Sequence, residues 1–218
     1  MRRLPCVKKQ FAQPPAQVHG DCIVSYCFRL GISYIYIMGV IKEPLQTKLF
    51  AAVMYTQSFD LRQALPELIS SYGEIELFYG PVSFLWSDYY EDEMGPGLLK
   101  YYAVFKEPFD RSNLPAVKNH TNKIEETFSQ NGKRTVNIDP GYLAQDKLVL
   151  ASTKDFYHRL YLGDGIFGEV TLHYRRGCFR YFSWTYPDYQ EPAFLEFLEA
   201  GRQGLSICGT PRVSALHR

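Results

Sequence analysis

The sequence has no strong excess of charge, no apolar run long enough to cross a bilayer and no paired cysteines. Its 24 basic and 23 acidic residues leave a formal net charge of +1, whereas a domain that binds duplex DNA usually carries a pronounced basic surface. The longest apolar stretch, residues 22–38, is interrupted by Arg29 and is shorter than the roughly 20 residues that a membrane helix needs. We therefore expect no DNA partner and no membrane partner.

The five cysteines show no metal-binding or disulfide pattern. No CxxC pair occurs, and Cys178 and Cys208 are isolated in the sequence. An odd number of cysteines without zinc-type spacing argues against a structural zinc site and against a disulfide framework. The pattern favours free thiols in a reducing compartment, so we expect a cytoplasmic protein.

Two glycine-containing segments look like phosphate-binding loops but lack the context that such loops need. Residues 163–168 (GDGIFG) match GxGxxG, but the following residues alternate as a strand, whereas the dinucleotide-binding loop opens a helix. Residues 131–135 (NGKRT) resemble the end of a P-loop, but Thr127 stands where the first glycine is required. We interpret the first segment as a hairpin turn and the second as a helix end.

Composition divides the chain into three parts. Residues 1–41 are rich in proline and cysteine, and they form an atypical N-terminal extension that we expect to be disordered or to result from a misassigned start. Residues 42–205 are expected to form a single α+β domain. Residues 206–218 have no periodicity and are expected to be a loose tail.

The pattern of apolar residues predicts a ferredoxin-like βαββαβ start, followed by a β-rich C-terminal extension and a final helix. Such a start implies an antiparallel sheet with two helices on one face. Pro66 should kink the first helix or delay its start. The predicted strands are 48–56, 74–86, 98–107, 134–138, 147–152, 157–162, 166–174 and 178–184, and the predicted helices are 61–72, 114–128 and 192–205.

Polar residues are densely interleaved with strand-forming residues between positions 133 and 189, which is typical of a pocket or of one wetted sheet face. Asp139 stands at a strand end before a Pro-Gly turn, where it could act on a ligand or simply cap the turn. Glu169 could form an acid–base pair with His158, or only a charge pair across a hairpin. We take Asp139, His158 and Glu169 as the catalytic candidates.

The other candidates would bind the substrate. Arginine and lysine side chains would contact an anionic group, and tyrosines would wall the pocket. Asp139 and Glu169 could instead bind a divalent cation. The substrate-binding candidates are Arg134, Asn137, Tyr142, Lys154, Arg159, Tyr186 and Asp188.

Four ordered motifs resemble an uncharacterised prokaryotic family, the domain-of-unknown-function family 4416. The resemblance spans about residues 42–204 and implies no activity, substrate or cofactor. It also implies a chain that starts near residue 38, so residues 1–37 look like an addition. The motifs are SDYYEDEMGP, GKRTVNIDPGYL, HRLYLGDGIFGEVTLHY and WTYPDY.

Two classes of function remain open from the sequence. The first is a cytoplasmic domain that binds or transforms a small anionic molecule, such as a phosphorylated metabolite or a nucleotide. The alternative is a non-catalytic protein-interaction or regulatory module that uses a tyrosine-rich surface. RNA binding is disfavoured because the chain beyond the N-terminal extension is mildly acidic, although exposed aromatic residues could stack on bases.

Overall fold

The computed structural model describes residues 43–86, 90–130 and 132–208, and it describes no side chains at positions 91, 92 and 206–208. The predicted N-terminal extension, the apolar stretch 22–38 and the tail beyond residue 208 lie outside these residues. The described part is mixed α+β, which confirms the predicted class.

In the described residues, eight strands form one antiparallel sheet. The strands are β1 (Thr47–Tyr55), β2 (Ile75–Ser83), β3 (Leu99–Phe109), β4 (Val136–Leu143), β5 (Lys147–Ser152), β6 (Arg159–Gly163), β7 (Ile166–Arg175) and β8 (Cys178–Tyr181). The strand order is β2-β3-β1-β4-β5-β7-β6, and β8 pairs with β7.

Within the part of the chain that the structure describes, three α-helices of eight or more residues and one four-residue α-helix accompany the sheet. They are α1 (Leu65–Tyr72), α2 (Glu91–Met94), α3 (Leu114–Thr127) and α4 (Pro192–Cys208). Within the described residues, no helix is both long enough and apolar enough to span a membrane.

The helices cover the two faces of the sheet with separate cores. On one face, α1 and α3 pack Leu68 and Ile124 against β1, β3 and β4. On the other face, α4 packs Phe194 and Leu198 against the opposite side chains of β1 and β3. This arrangement follows from the alternation of the central strand β1, which is buried along its whole length.

The structure refines several element boundaries. Helix α1 begins at Leu65 after a 3-10 turn, because Pro66 is tolerated only in the first helical turn. Strand β4 continues to Leu143, well past its predicted end at 138, and carries the Pro-Gly pair inside the strand. Strand β8 ends at Tyr181, so Trp184 lies in the following loop and not in the strand.

Candidate functional site

A cleft of about 360 Å³ opens where β4 and β5 separate. The two strands are paired only at Gly141, Tyr142 and Leu143. Upstream of these residues β4 pairs with β1 alone, and the corresponding part of β5 pairs with β7. Strands β4 and β5 therefore diverge beyond these three residues, and we call the point of divergence the fork. Side chains on both strands reach one concavity there.

Helix α3 supplies the hydrogen bonds that β5 cannot supply at the fork. The backbone N–H of Ile138 donates to Oε1 of Glu125 at 2.8 Å. The carbonyl of Ile138 accepts from Nζ of Lys118 at 2.7 Å. Two charged side chains, each about 5% exposed, thus satisfy the strand backbone next to the cleft.

A polar chain continues from these residues along β4. Lys118 Nζ lies 3.2 Å from Oδ1 of Asp139, and Asn137 donates to Oδ2 of Asp139 at 2.8 Å. Arg134 then donates to Oδ1 of Asn137 at 2.7 Å. Burial opposes ionisation of Asp139, but Lys118 and Lys100 outweigh it and hold the pKa of this carboxyl below its usual value.

Glu125 shows the opposite balance. Burial raises its pKa, although Lys118, the Ile138 N–H and Arg134 favour the charged form. Arg134 also donates from Nη2 to Oε2 of Glu93 at 2.8 Å, and this hydrogen bonding lowers the pKa of Glu93. The cleft thus contains one carboxyl, Glu125, that is easier to protonate than usual and one, Asp139, that is harder to protonate.

The opposite wall of the cleft contains Glu169 on β7 between two basic side chains. His158 Nε2 lies 3.0 Å from Oε2 of Glu169, and Arg159 Nε donates to the same oxygen at 2.9 Å. Arg159 also donates from Nη1 to Ser152 Oγ at 2.9 Å and to the carbonyl of Lys154 at 3.0 Å. Glu169 and Arg159 line the cleft, whereas His158 reaches it through Glu169.

Aromatic rings fix the orientation of His158. Its ring is nearly parallel to those of Phe156 and Trp184, at centroid distances of 6.0 and 5.1 Å. Trp184 is itself held by a hydrogen bond from Nε1 to the carbonyl of Val170 at 3.1 Å. His158 Nδ1 is buried and has no hydrogen-bond partner among the described residues.

A third group of side chains closes the floor of the cleft. Lys100 forms an ion pair with Oδ2 of Asp188, and Tyr102 donates its hydroxyl to the same oxygen at 2.7 Å. Oδ1 of Asp188 is buried and lacks a hydrogen-bond partner in the described part of the chain. Burial and the nearby Asp188 raise the pKa of Tyr189, so this tyrosine stays protonated.

Eight of the ten predicted site residues line this one cleft. They are Arg134, Asn137, Asp139, Lys154, Arg159, Glu169, Tyr186 and Asp188. His158 stands behind Glu169. Tyr142 is placed elsewhere, because its position in β4 has the opposite parity to Asn137 and Asp139, and it packs with Leu114.

Four charged residues of the cleft were not predicted. Lys100 lies on β3, Lys118 and Glu125 lie on the buried side of α3, and the exposed Glu126 follows Glu125 on the same helix. The sequence does contain a signal for Lys118 and Glu125. They are seven residues apart, so they lie on the same face of the helix, beside the apolar residues Val117 and Ile124. The cleft contains five basic and five acidic side chains in all, so it is highly charged without a large excess of either sign.

No group of three or more histidine, cysteine, aspartate and glutamate side chains with the geometry to hold a metal ion occurs among the described residues. Asp139 and Glu169 line the same cleft, but each is already paired with a basic side chain: Asp139 with Lys118 and Glu169 with Arg159.

Comparison with known proteins gives one match. Residues 45–204 match the family described as domain of unknown function DUF4416. No curated protein and no solved structure matches the chain.

Proposed function

The chain belongs to the family of domains of unknown function DUF4416, and we propose that its cleft binds a small anionic molecule such as a phosphorylated metabolite or a nucleotide. The observation that carries the proposal is the convergence of Arg134, Lys154 and Arg159 on the fork between β4 and β5. A volume of about 360 Å³ is within the range of small-molecule sites, roughly 300–1,000 Å³.

The acidic side chains of the cleft do not argue against an anionic ligand, because they hold the basic groups in place. A guanidinium group has five N–H donors. Within the described residues, the hydrogen bonds of Arg159 use Nε and Nη1, so Nη2 can serve a ligand. Preorganised donors of this kind bind a phosphate or carboxylate without first losing side-chain entropy.

The catalytic roles of Asp139, His158 and Glu169 belong to the same proposal. The lowered pKa of Asp139 keeps it ionised at neutral pH, so it would accept a hydrogen bond from a ligand N–H or O–H and would take up that proton only as a general base in the reaction. Glu169 would exchange protons with His158 across their 3.0 Å contact. A divalent cation would have to be brought with the ligand, for example on a phosphate group, and would meet Asp139.

Binding of ribose 5-phosphate tests the proposal by isothermal titration calorimetry. Lys154 is exposed on the rim of the cleft, so Lys154→Gln should leave the fold intact. We expect this variant to bind the phosphate roughly fivefold more weakly, since an exposed ion pair contributes at most about 1 kcal/mol. Lys123→Gln is the matched control, because Lys123 is exposed on α3 and does not line the cleft.

If neither ribose 5-phosphate nor any anionic compound of a metabolite screen binds the wild-type protein, the proposal is wrong. The alternative of a protein-interaction module would then be favoured. The exposed aromatic and aliphatic side chains of the edge strand β6 and the preceding loop, including Tyr157, Leu160 and Tyr161, would be its first candidate surface.

We also propose a ferredoxin-like relationship for the part from β1 to β4, and a cytoplasmic location in a prokaryotic cell. The order β2-β3-β1-β4 with antiparallel neighbours supports the first. The cysteines of the sequence are not spaced as disulfide pairs, which supports the cytoplasmic location.

A further inference from the structure

A second pocket of about 440 Å³ lies beside the cleft. Aromatic side chains form much of its wall: Tyr79, Phe84, Trp86 and Tyr102. Tyr79 and Tyr102 are register partners on neighbouring strands, and their rings are stacked at a centroid distance of 5.8 Å. Tyr102 is only 1% exposed, so the most exposed ring of the second pocket is that of Trp86, which is 47% exposed, whereas the cleft offers charges.

The cleft and the second pocket share a border. Phe84, Lys100 and Asp188 line both of them. Lys100 and Tyr102 are two residues apart on β3, so their side chains lie on the same face of the sheet. Asp139 lies opposite Ala52 on β1, and Ala52 and Tyr102 both belong to the core under α4. The cleft thus reaches the face of the sheet on which the second pocket lies, with the Lys100–Asp188 ion pair between the two cavities.

The border contains a buried carboxylate oxygen, Oδ1 of Asp188, that accepts no hydrogen bond from the described residues. Asp188 is only 6% exposed, and its Oδ2 accepts from both Lys100 and Tyr102. Oδ1 has no partner among the described residues. A buried carboxylate oxygen without a hydrogen bond is costly, and a ligand N–H at the border would remove this cost.

We infer that the cleft and the second pocket bind one bipartite ligand: an anionic group in the cleft, a flat heteroaromatic ring against Trp86, and a ring N–H or amino group at Asp188. This inference rests on the proposed function and narrows the ligand to an aromatic compound that carries a phosphate or carboxylate group. A nucleoside monophosphate has all three parts. Trp86 is 47% exposed, and binding of the ring would bury part of its side chain.

The test compares ribose 5-phosphate with the four common ribonucleoside monophosphates, which add only a base. We expect at least one nucleotide to bind at least about tenfold more tightly than ribose 5-phosphate, because stacking of a base on aromatic side chains contributes on this scale. Base binding should also quench the fluorescence of Trp86, one of two tryptophans in the chain. The quench should disappear in Trp86→Phe.

Trp86→Ala separates the ring site from the anion site. We expect this variant to reduce the ratio of the two affinities to within about twofold while the affinity for ribose 5-phosphate stays unchanged. Tyr157→Ala removes an aromatic side chain that is 88% exposed and lies outside both cavities, so it should leave the ratio as in wild type.

The other possible outcomes contradict the bipartite ligand, the position of its ring or the proposed function. Equal affinities for ribose 5-phosphate and all four nucleotides would overturn the bipartite ligand and leave the anion site standing. A preference for a nucleotide that survives in Trp86→Ala would overturn the assignment of the ring to the second pocket. If neither kind of compound binds, this inference is wrong, and the proposed function is wrong as well when no other anionic compound of the metabolite screen binds.

Discussion

Lys118 and Glu125 take the place of a neighbouring strand for one residue of β4. Each hydrogen-bonds one backbone group of Ile138, and each is nearly inaccessible to solvent. Removing charged groups from water is costly unless they are paired and hydrogen-bonded. These two meet that condition through the strand backbone and through Asp139 and Arg134.

The raised pKa of Glu125 predicts how the free energy of unfolding depends on pH. Since burial disfavours its charged form in the folded protein, its stabilising contribution is complete below the ordinary value of 4.5 and is lost as the pH rises through the folded-state pKa. We therefore expect wild type to exceed Glu125→Gln in the free energy of unfolding by about 1 kcal/mol near pH 4, and by less at pH 7. Urea unfolding at both pH values measures this difference.

Glu126→Gln is the control for that series, because Glu126 is the next residue on α3 and is exposed. Its difference from wild type should not follow the same trend. A difference for Glu125→Gln that grows with pH would mean that Lys118 and Arg134 dominate over burial and that the pKa of Glu125 is lowered.

At the scale of elements, the fork depends on how closely β4 approaches β5 at Gly141. A Cβ at this position would lie 2.2 Å from the carbonyl oxygen of Val149 and 2.8 Å from Cδ2 of Leu150. The first of these neighbours is backbone and cannot turn away. We expect Gly141→Ala to lower the free energy of unfolding by about 2–3 kcal/mol, the upper part of the range for overpacking, measured by urea unfolding.

Gly168→Ala is the matched comparison, since Gly168 is also a strand glycine. Its added Cβ would meet mainly the side chain of Leu162, with Cδ1 at 2.9 Å, and Leu162 is 42% exposed on the edge strand β6. This side chain can move, so we expect a loss below about 1 kcal/mol. Equal losses for the two variants would contradict the view that β4 and β5 are locked by backbone contact.

Local patterns in the sequence predict the elements well, because each depends on its own residues. Strand β5 occupies residues 147–152 as predicted, and Pro66 delays helix α1 by one 3-10 turn. The site is only partly predictable for the same reason. Parity along β4 places Asn137 and Asp139 together, but their meeting with Lys100 and Lys118 depends on strand order and on the fork.

The position of Tyr142 outside the cleft has the same origin. The Pro-Gly pair predicts a turn after Asp139, but the strand continues through Pro140 and Gly141, so the alternation of faces also continues. A turn at the Pro-Gly pair would have reset the direction of Tyr142. The sequence contains no signal that distinguishes a bulged turn from a continuous strand here, since the strand geometry is decided by the neighbour β1.

At the scale of the whole molecule, helices join the two halves that the fork separates. The half from β1 to β4 and the half from β5 to β8 are joined in the sheet only through the short β4–β5 ladder. Helix α3, however, contacts β4 together with β5, β6 and β7, and α4 contacts both β2 and β8. Opening the fork would therefore expose the cores under both helices.

This bridging predicts that the two halves unfold in one transition. Trp86 follows β2 and Trp184 follows β8, so Trp184→Phe leaves a fluorescent reporter in the first half and Trp86→Phe leaves one in the second. In each variant we expect the urea midpoint from tryptophan fluorescence to coincide with the midpoint from far-UV circular dichroism of the same variant. Comparison within a variant removes any change in stability that the substitution itself causes. Separate midpoints in either variant would show that the fork is a hinge between independently stable halves, and the cleft would then change shape with their relative motion instead of being preorganised for a ligand.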